Sequence, residues 1–255
     1  MLVTLEKVTK AYNVGQKNVE ALSSISISIH EKEFVCIVGP SGSGKSTLLK
    51  MIAGIDNATS GNVNFEGQKV VGPSLKKGFI FQDYALFPWL TVRKNILFGL
   101  EMANASTVIK KKRLEEYLHL LDLEKAVNLY PNQLSGGMRQ RVAIARALCL
   151  KPKLLLMDEP FAALDLFLRQ KLQEELLRIW QAENITFILV THDIEEAIYL
   201  ADRIIVLTPG PGRVNEIISI SLPRPRLRTG EEFMQIRNKI IDLITPLHVF
   251  QSSYI

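Results

Sequence analysis

From Ser24 to Ile29 the chain reads Ser-Ile-Ser-Ile-Ser-Ile, a strict period of two that predicts a strand with one buried face. The first 30 or so residues read as edge-type strands of this kind. Phe34–Val38 differs: five consecutive apolar residues suit a central strand covered on both sides. Glycines follow it, and then a helix is expected from Lys45 to Ala53, stopped by Gly54 just past its end. Leu154–Met157, Ile185–Val190 and Ile204–Leu207 have the same central-strand character. Helical spacing separates them, including Leu168–Trp180 with Leu168, Leu172, Leu176 and Ile179 on one face. Strand alternating with helix predicts a largely parallel sheet with helices on both faces.

Between about Leu90 and Leu150 the apolar spacing is helical throughout, which predicts a helical subdomain inserted into an α/β core. Residues 1–89 and 151–220 are expected to form that core, 90–150 the helical part and 221–255 a tail, all within a single domain spanning 1–255. The tail places Pro223 and Pro225 between arginines, then runs into an amphipathic stretch from Glu231 to Leu247. No internal repeat or low-complexity tract interrupts this plan.

Composition narrows the class. With 47% hydrophobic and 22% charged residues over 255 positions, the chain can bury a sizeable core, which excludes disordered, collagen-like and disulfide-scaffold proteins. Two cysteines point to a reducing compartment, with Cys36 in an apolar run and Cys149 near a helix end both expected to pack. No charge-free apolar run approaches the roughly 18 residues a membrane span needs, and MLVTLEKVTK lacks the apolar core of a signal peptide. A cytoplasmic protein is expected. The balance of 31 basic against 26 acidic residues, +5, suits a polyphosphate, nucleic acid or anionic lipid but is ordinary for this length. The densest run, Lys110-Lys111-Lys112-Arg113, leads into an amphipathic helix and reads as a solvated face.

The chemistry concentrates after the buried strands. Gly39-Pro40-Ser41-Gly42-Ser43-Gly44-Lys45-Ser46 fits G-x-x-x-x-G-K-[ST] between a buried strand and a helix, the context that gives the motif its meaning. Its glycines let backbone amides curl around phosphate oxygens, and the helix start adds unpaired amides and a positive dipole end. Lys45 is placed to reach the β- and γ-phosphates of a nucleotide, and the Ser46 hydroxyl to ligate Mg²⁺. Leu154-Leu155-Leu156-Met157-Asp158-Glu159 ends a second buried strand in two carboxylates at the sheet edge where α/β proteins bind ligands. Asp158 suits Mg²⁺, through a water, while Glu159 can face an attacking water as general base. His192 follows Ile185–Val190 at another strand end, where an imidazole N–H can meet phosphoryl oxygens. Gln82, after the apolar run Gly78–Phe81, is a candidate contact for Mg²⁺ or water.

Leu134-Ser135-Gly136-Gly137-Met138-Arg139-Gln140 puts a serine and two glycines at the start of a long helix, a second anion-binding terminus. This segment closely resembles the signature motif of ABC ATPases, and the other elements fall in that family's order. Gly39–Thr47 resembles its phosphate loop, Gln82 its Q-loop glutamine, Asp158–Glu159 its second Walker motif, Ala163-Leu164-Asp165 its D-loop and His192 its switch histidine. Tyr12 stands where the family places an aromatic that stacks on adenine. The resemblance implies a P-loop NTPase core with a mostly parallel sheet, an antiparallel β subdomain and an inserted helical subdomain. It also implies ATP and Mg²⁺ as ligands and a second ATPase subunit, the same or a related chain, docked head to tail. Ser135, Gly136 and Gly137 then act on the partner's ATP, and Asp165 communicates across the dimer.

Tyr84-Ala85-Leu86-Phe87-Pro88-Trp89-Leu90 carries three aromatics that read as exposed beside a proline. The family reading makes Tyr84, Phe87 and Trp89 part of a groove for a short helix of a transmembrane permease, coupled through Gln82 to the γ-phosphate. Phe81–Val92, Thr208–Arg213 and Leu222–Arg226 resemble the importers of the nitrate, sulfonate and taurine group, some of which carry bicarbonate, cyanate or vitamin precursors. The resemblance thus implies a peripheral subunit on the cytoplasmic face of the cell membrane, served indirectly by an extracytoplasmic substrate-binding protein. An exporter's ATPase shares this chemistry. A soluble ABC ATPase acting on nucleic acid fits less well, because such members usually carry a long coiled coil or a second cassette, so no nucleic-acid partner is expected.

Overall fold

A computed structural model describes residues 1–15 and 17–245. In chain order its elements are β1 (Val3–Val14), β2 (Lys17–Ile29), β3 (Phe34–Val38), α1 (Lys45–Ala53), β4 (Ser60–Phe65), β5 (Gln68–Lys69), β6 (Lys77–Ile80), α2 (Val92–Met102), α3 (Thr107–Leu120), α4 (Gly136–Leu148), β7 (Leu154–Asp158), α5 (Leu166–Glu183), β8 (Thr186–Val190), α6 (Ile194–Leu200), β9 (Arg203–Leu207), β10 (Val214–Ser219) and α7 (Glu231–Ile244). Two compact units divide them: Met1–Pro73 with Thr186–Ile255, and Ser74–Ile185.

The first unit holds an antiparallel sheet in the order β2-β1-β4-β5 and a mostly parallel one. In the latter β3 lies between β8 and β9, parallel to both, and β10 returns antiparallel along β9. The five residues of β3 are all buried, as are those of β8, which accounts for their unbroken apolar runs. On β2, Ile25, Ile27 and Ile29 point inward while Ser24 and Ser26 face out, so the period-two reading holds. Helix α1 has the expected bounds and ends at Gly54, whose φ of 82° is the left-handed helix stop. Strand β10 carries no apolar run that announces it, and it lies within the stretch 151–220 expected to belong to the core. The amphipathic reading of the tail is met by α7, which buries Phe233 and Ile240, while Leu247 lies outside the described residues.

The second unit pairs β6 with β7 in parallel and surrounds them with helices, and from Val92 to Leu148 it contains helices and short 3₁₀ turns. Leu172, Leu176 and Ile179 of α5 are buried, and Leu168 is half-buried against Gly137. Lys151 bridges Glu116 and Glu183 at 2.9 and 2.7 Å and ties α3 to α5. Cys36 and Cys149 are free and buried, as packing residues should be. The basic run at 110–113 sits on α3, with Arg113 paired to Glu116 and Lys111 and Lys112 exposed.

The proline–arginine stretch of the tail has a structural explanation. The buried Arg226 guanidinium donates to the carbonyls of Ile198 (2.6 Å), Tyr199 and Ala201 at the end of α6, and to those of Ile220 and Leu222. It thereby closes the carboxyl end of α6, where backbone oxygens lack helical partners. Burial, with Arg224 beside it, brings its pKa down to about 10, so it remains charged at neutral pH. Arg224 adds bonds to Asp202 and to the Leu200 carbonyl. Replacing Arg226 by Leu strands these acceptors and is expected to cost about 3 kcal/mol, or roughly 6–12 °C in Tm, in thermal melts. Replacing Arg228, which stacks over Tyr199 at 4.2 Å and donates to the Glu195 carbonyl at 3.5 Å, is expected to cost about 1 kcal/mol.

Candidate functional site

In the first unit, three parallel strands deliver loops to one carboxyl edge. Ile37 pairs with Val190 and Val38 with Val206, so Gly39, Thr191–His192 and Thr208 all leave the sheet together. The Thr191 amide bonds the Ile37 carbonyl at 3.2 Å, and Asp193 then caps α6 by accepting from Glu196. His192 is exposed at this edge.

The loop Gly39–Gly44 forms the cradle. Gly44 lies at φ 81° as the residue before α1 and has no side chain to cap it, so the amino end of α1 follows the loop directly. Lys45 is buried and donates to the carbonyls of Gly39 (2.9 Å) and Pro40 (3.0 Å), which holds its ammonium inside the loop. The Ser43 hydroxyl is buried there without a hydrogen-bond partner. Such an orphan is costly unless a ligand satisfies it, and a phosphate oxygen fits. Ser41 and Gly42 are exposed, while Pro40, Ser46 and Thr47 are half-buried.

Support for the loop comes from residues that sequence reasoning valued only as resemblance. The Gly212 amide donates to Ala21, and its carbonyl accepts from Ser23. Its Cα packs against the Ser43 carbonyl so closely that a Cβ would overlap that oxygen. A Cβ on Gly210 would come within 3.0 Å of the Gly42 carbonyl. Thr208–Arg213 is therefore the backing of the phosphate cradle.

Tyr12 lies on β1, 37% exposed, with its hydroxyl bonded to Asp56 at 2.7 Å and 3.4 Å from Thr47.

In the second unit, Ile80 pairs with Met157, so Gln82 and the Asp158–Glu159 pair leave the carboxyl ends of adjacent parallel strands. Asp158 is buried, Glu159 half-buried and Gln82 exposed. Glu159 has a φ of 46°, an uncommon conformation for a non-glycine residue and one that surrounding structure must hold in place. Ser135 caps α4 by accepting from Met138, and Gly136 and Gly137 form its first turn. A Cβ on Gly137 would meet Leu168 at 2.8 Å, so close packing on α5 explains that glycine. Asp165 caps α5 by accepting from Leu168.

The segment after Gln82 departs from expectation. Tyr84 is buried, not exposed, because Tyr84 and Ala85 adopt left-handed backbone with φ of 63° and 42° and turn the ring inward. Phe87 is half-buried against Phe98, and Trp89 alone of the three aromatics is fully exposed, at 70%. Two residues missed in the sequence hold this segment. Arg146, on the last turn of α4, donates to the carbonyls of Tyr84 (2.8 Å) and Ala85 (2.7 Å). Buried Asn95 accepts from the Phe87 amide and donates to the carbonyls of Phe87, Leu90 and Thr91. Their targets are backbone atoms, which leave no signature in a sequence.

The family model for ABC transporters matches residues 22–162. The chain is 45% identical over 242 residues to the aliphatic sulfonates import ATP-binding protein of Bacillus subtilis, covering 94% of this chain and 93% of that one. It is 46% identical over 244 residues to the nitrate import ATP-binding protein of Synechocystis, covering 91% of each. Among solved structures, the dimeric structure of a bacterial ABC transporter cassette aligns with a TM-score of 0.78 at 37% identity, over 87% of this chain and all of that one. A dimeric post-hydrolysis ATP-binding cassette bound to ADP and Pi aligns with a TM-score of 0.77 at 37% identity, over the same shares. The chain belongs to the ABC transporter family. Within it, this is an ATP-binding subunit that hydrolyses ATP to power transport. Among the described residues no helix is long and apolar enough to cross a membrane.

Proposed function

We propose that this chain drives import of a small sulfonate- or nitrate-type anion, as a peripheral subunit held at the cytoplasmic face of the membrane by a permease. The single observation that carries the ATP-site reading is the Gly39–Gly44 loop, with an ammonium inside it, an unpartnered buried hydroxyl and the amino end of α1 directly after it. The relatives named for sulfonate and nitrate import support the cargo class.

In this reading Lys45 and the loop amides Gly39–Thr47 bind the phosphates, and Tyr12 stacks on the base. Ser46, Asp158 and Gln82 supply hard oxygen donors of the kind Mg²⁺ takes, and the ion would neutralise charge developing on the phosphoryl oxygens. Glu159 accepts a proton from the attacking water, and His192 donates to the phosphoryl group. Two copies, or one copy and a related subunit, pair head to tail. Ser135, Gly136 and Gly137 then complete the partner's site, and Asp165 links the two. The dimeric state of the related cassettes supports this arrangement. An extracytoplasmic binding protein delivers the anion to the permease.

Trp89, with Phe87 beside it and Tyr84 as its buried base, is read as the permease contact. Tagged protein recovered from detergent-solubilised membranes is expected to bring a multi-span permease with it and to show ATPase activity. Recovery of soluble partners alone overturns the transport reading. Trp89→Asp is expected to weaken permease association about 30-fold, as loss of an aromatic hot spot does, while ATP binding by the isolated subunit persists. Undiminished association rules Trp89 out of the docking surface.

A further inference from the structure

The residues around Tyr12 form a hydrogen-bonded network beside the phosphate loop. The Tyr12 hydroxyl donates to Asp56 Oδ2 at 2.7 Å. Asp56 Oδ1 accepts from Lys10 Nζ, and that ammonium also donates to the Asn57 carbonyl at 2.7 Å and stands 4.7 Å from the centre of the Tyr12 ring. The Tyr12 hydroxyl also lies 3.4 Å from Thr47 Oγ1, in the first turn of α1. Asp56 itself follows the end of α1, where its amide and that of Ile55 bond the Lys50 carbonyl. The ring is thus fastened by its far end to the helix whose first turn belongs to the phosphate cradle, and an ammonium occupies one of its faces.

We propose that Asp56 and Lys10 are positioning residues that fix the Tyr12 ring at a set place relative to the phosphate loop and leave only the face opposite Lys10 for a purine base. This rests on the reading of Tyr12 as the base platform. A ring free to rotate about its side-chain bonds would lose that freedom on each binding event, whereas a pinned ring has already lost it. The network suits the task. Burial, with Asp56 beside it, keeps the Tyr12 phenol above its ordinary range, so it stays a donor at neutral pH. Burial also works to raise the Asp56 carboxyl, but hydrogen bonds from Lys10, Tyr12 and the Asn57 amide outweigh it and hold the group below its usual range. Asp56 therefore stays an ionised acceptor.

The test measures ATP and inorganic tripolyphosphate affinity of the isolated subunit by calorimetry, since tripolyphosphate engages the cradle without a base. Asp56→Ala is expected to weaken ATP about tenfold and to leave tripolyphosphate within about twofold of the parent. Tyr12→Phe is expected to match it, and the double variant to be no worse than either, because both remove the same bond. Asp56→Asn, which keeps the acceptor oxygen, is expected to recover most of the loss. If Asp56→Ala weakens both ligands equally, Asp56 supports the whole loop and the proposal fails. If Tyr12→Ala weakens ATP but Asp56→Ala does not, the pinning fails and the base platform stands. If Tyr12→Ala leaves ATP affinity unchanged relative to tripolyphosphate, the platform reading itself fails.

Discussion

Glu159→Gln is expected to bind ATP as the parent does and to turn it over about 10²–10⁴-fold more slowly. The amide keeps the size of the side chain and an acceptor oxygen, yet it cannot take a proton from water. The backbone argument favours this variant over alanine. Glu159 sits at φ 46° directly after buried Asp158 and before Pro160, so a substitution that also empties the side-chain volume risks releasing the turn that aims both carboxylates. Glutamine leaves that turn intact and isolates the proton-transfer role. In the proposed cycle, where hydrolysis opens a nucleotide-held dimer, the variant is also expected to run as a dimer on size exclusion in ATP, where the parent returns to monomer. Single-turnover hydrolysis and elution volume together decide the matter. Turnover near the parent's removes Glu159 from the base role, and slow turnover without dimer accumulation breaks the link between hydrolysis and opening.

What could be read from the chain alone was whatever is encoded locally. Lys45–Ala53 was placed to the residue because a buried strand, a glycine-rich turn and a helix stop at Gly54 all lie within about 20 positions and agree. The alternation of Ser24–Ile29 was equally plain, since one face of β2 meets the core and the other meets water. Where the contacts are distant and fall on backbone atoms, the pattern is silent. Arg226 looked like one more basic residue in a proline-rich tail, yet its partners are carbonyls of Ile198, Tyr199 and Ala201, more than twenty positions earlier. Tyr84 read as an exposed aromatic because nothing in its neighbours announces two successive left-handed residues; Arg146, sixty positions on, holds that turn. Strand β10 escaped notice for a related reason. Its burial alternates between half-covered and exposed until Ile218, so it lacks the dense apolar run that marked β3, β7 and β8. Of the site, the cradle was legible from its residues, whereas the roles of Tyr12, Ser135 and Asp165 came through the likeness to a family.

Gly212→Ala is expected to cost nearly as much activity as touching the phosphate loop itself, although Gly212 lies far from it in the sequence and carries no chemistry. The added Cβ would overlap the Ser43 carbonyl oxygen, and it would also stand 3.1 Å from Leu22 Cδ2. The leucine end can give way, but the carbonyl cannot: it belongs to the loop whose amides define the cradle, and the next residue, Gly44, sits so tightly that a Cβ there would stand 2.6 Å from Leu22 and 2.8 Å from the Ala21 carbonyl. Gly212 cannot easily retreat either, because its amide and carbonyl are both bonded to β2, at Ala21 and Ser23. The strain must therefore move the loop. A displacement of about 1 Å at a site that works by fixed geometry is enough for roughly a 10²-fold loss, expected here in both ATP affinity and turnover. Gly210→Ala, whose Cβ would come only to 3.0 Å from the Gly42 carbonyl, provides the graded comparison and is expected to lose about tenfold or less. The fold should survive in both variants, since β3, β8 and β9 are untouched, and circular dichroism with a thermal melt checks this. Parent-like ATP binding in a folded Gly212→Ala protein would show that the loop tolerates movement and that Thr208–Arg213 is a connection, not a backing.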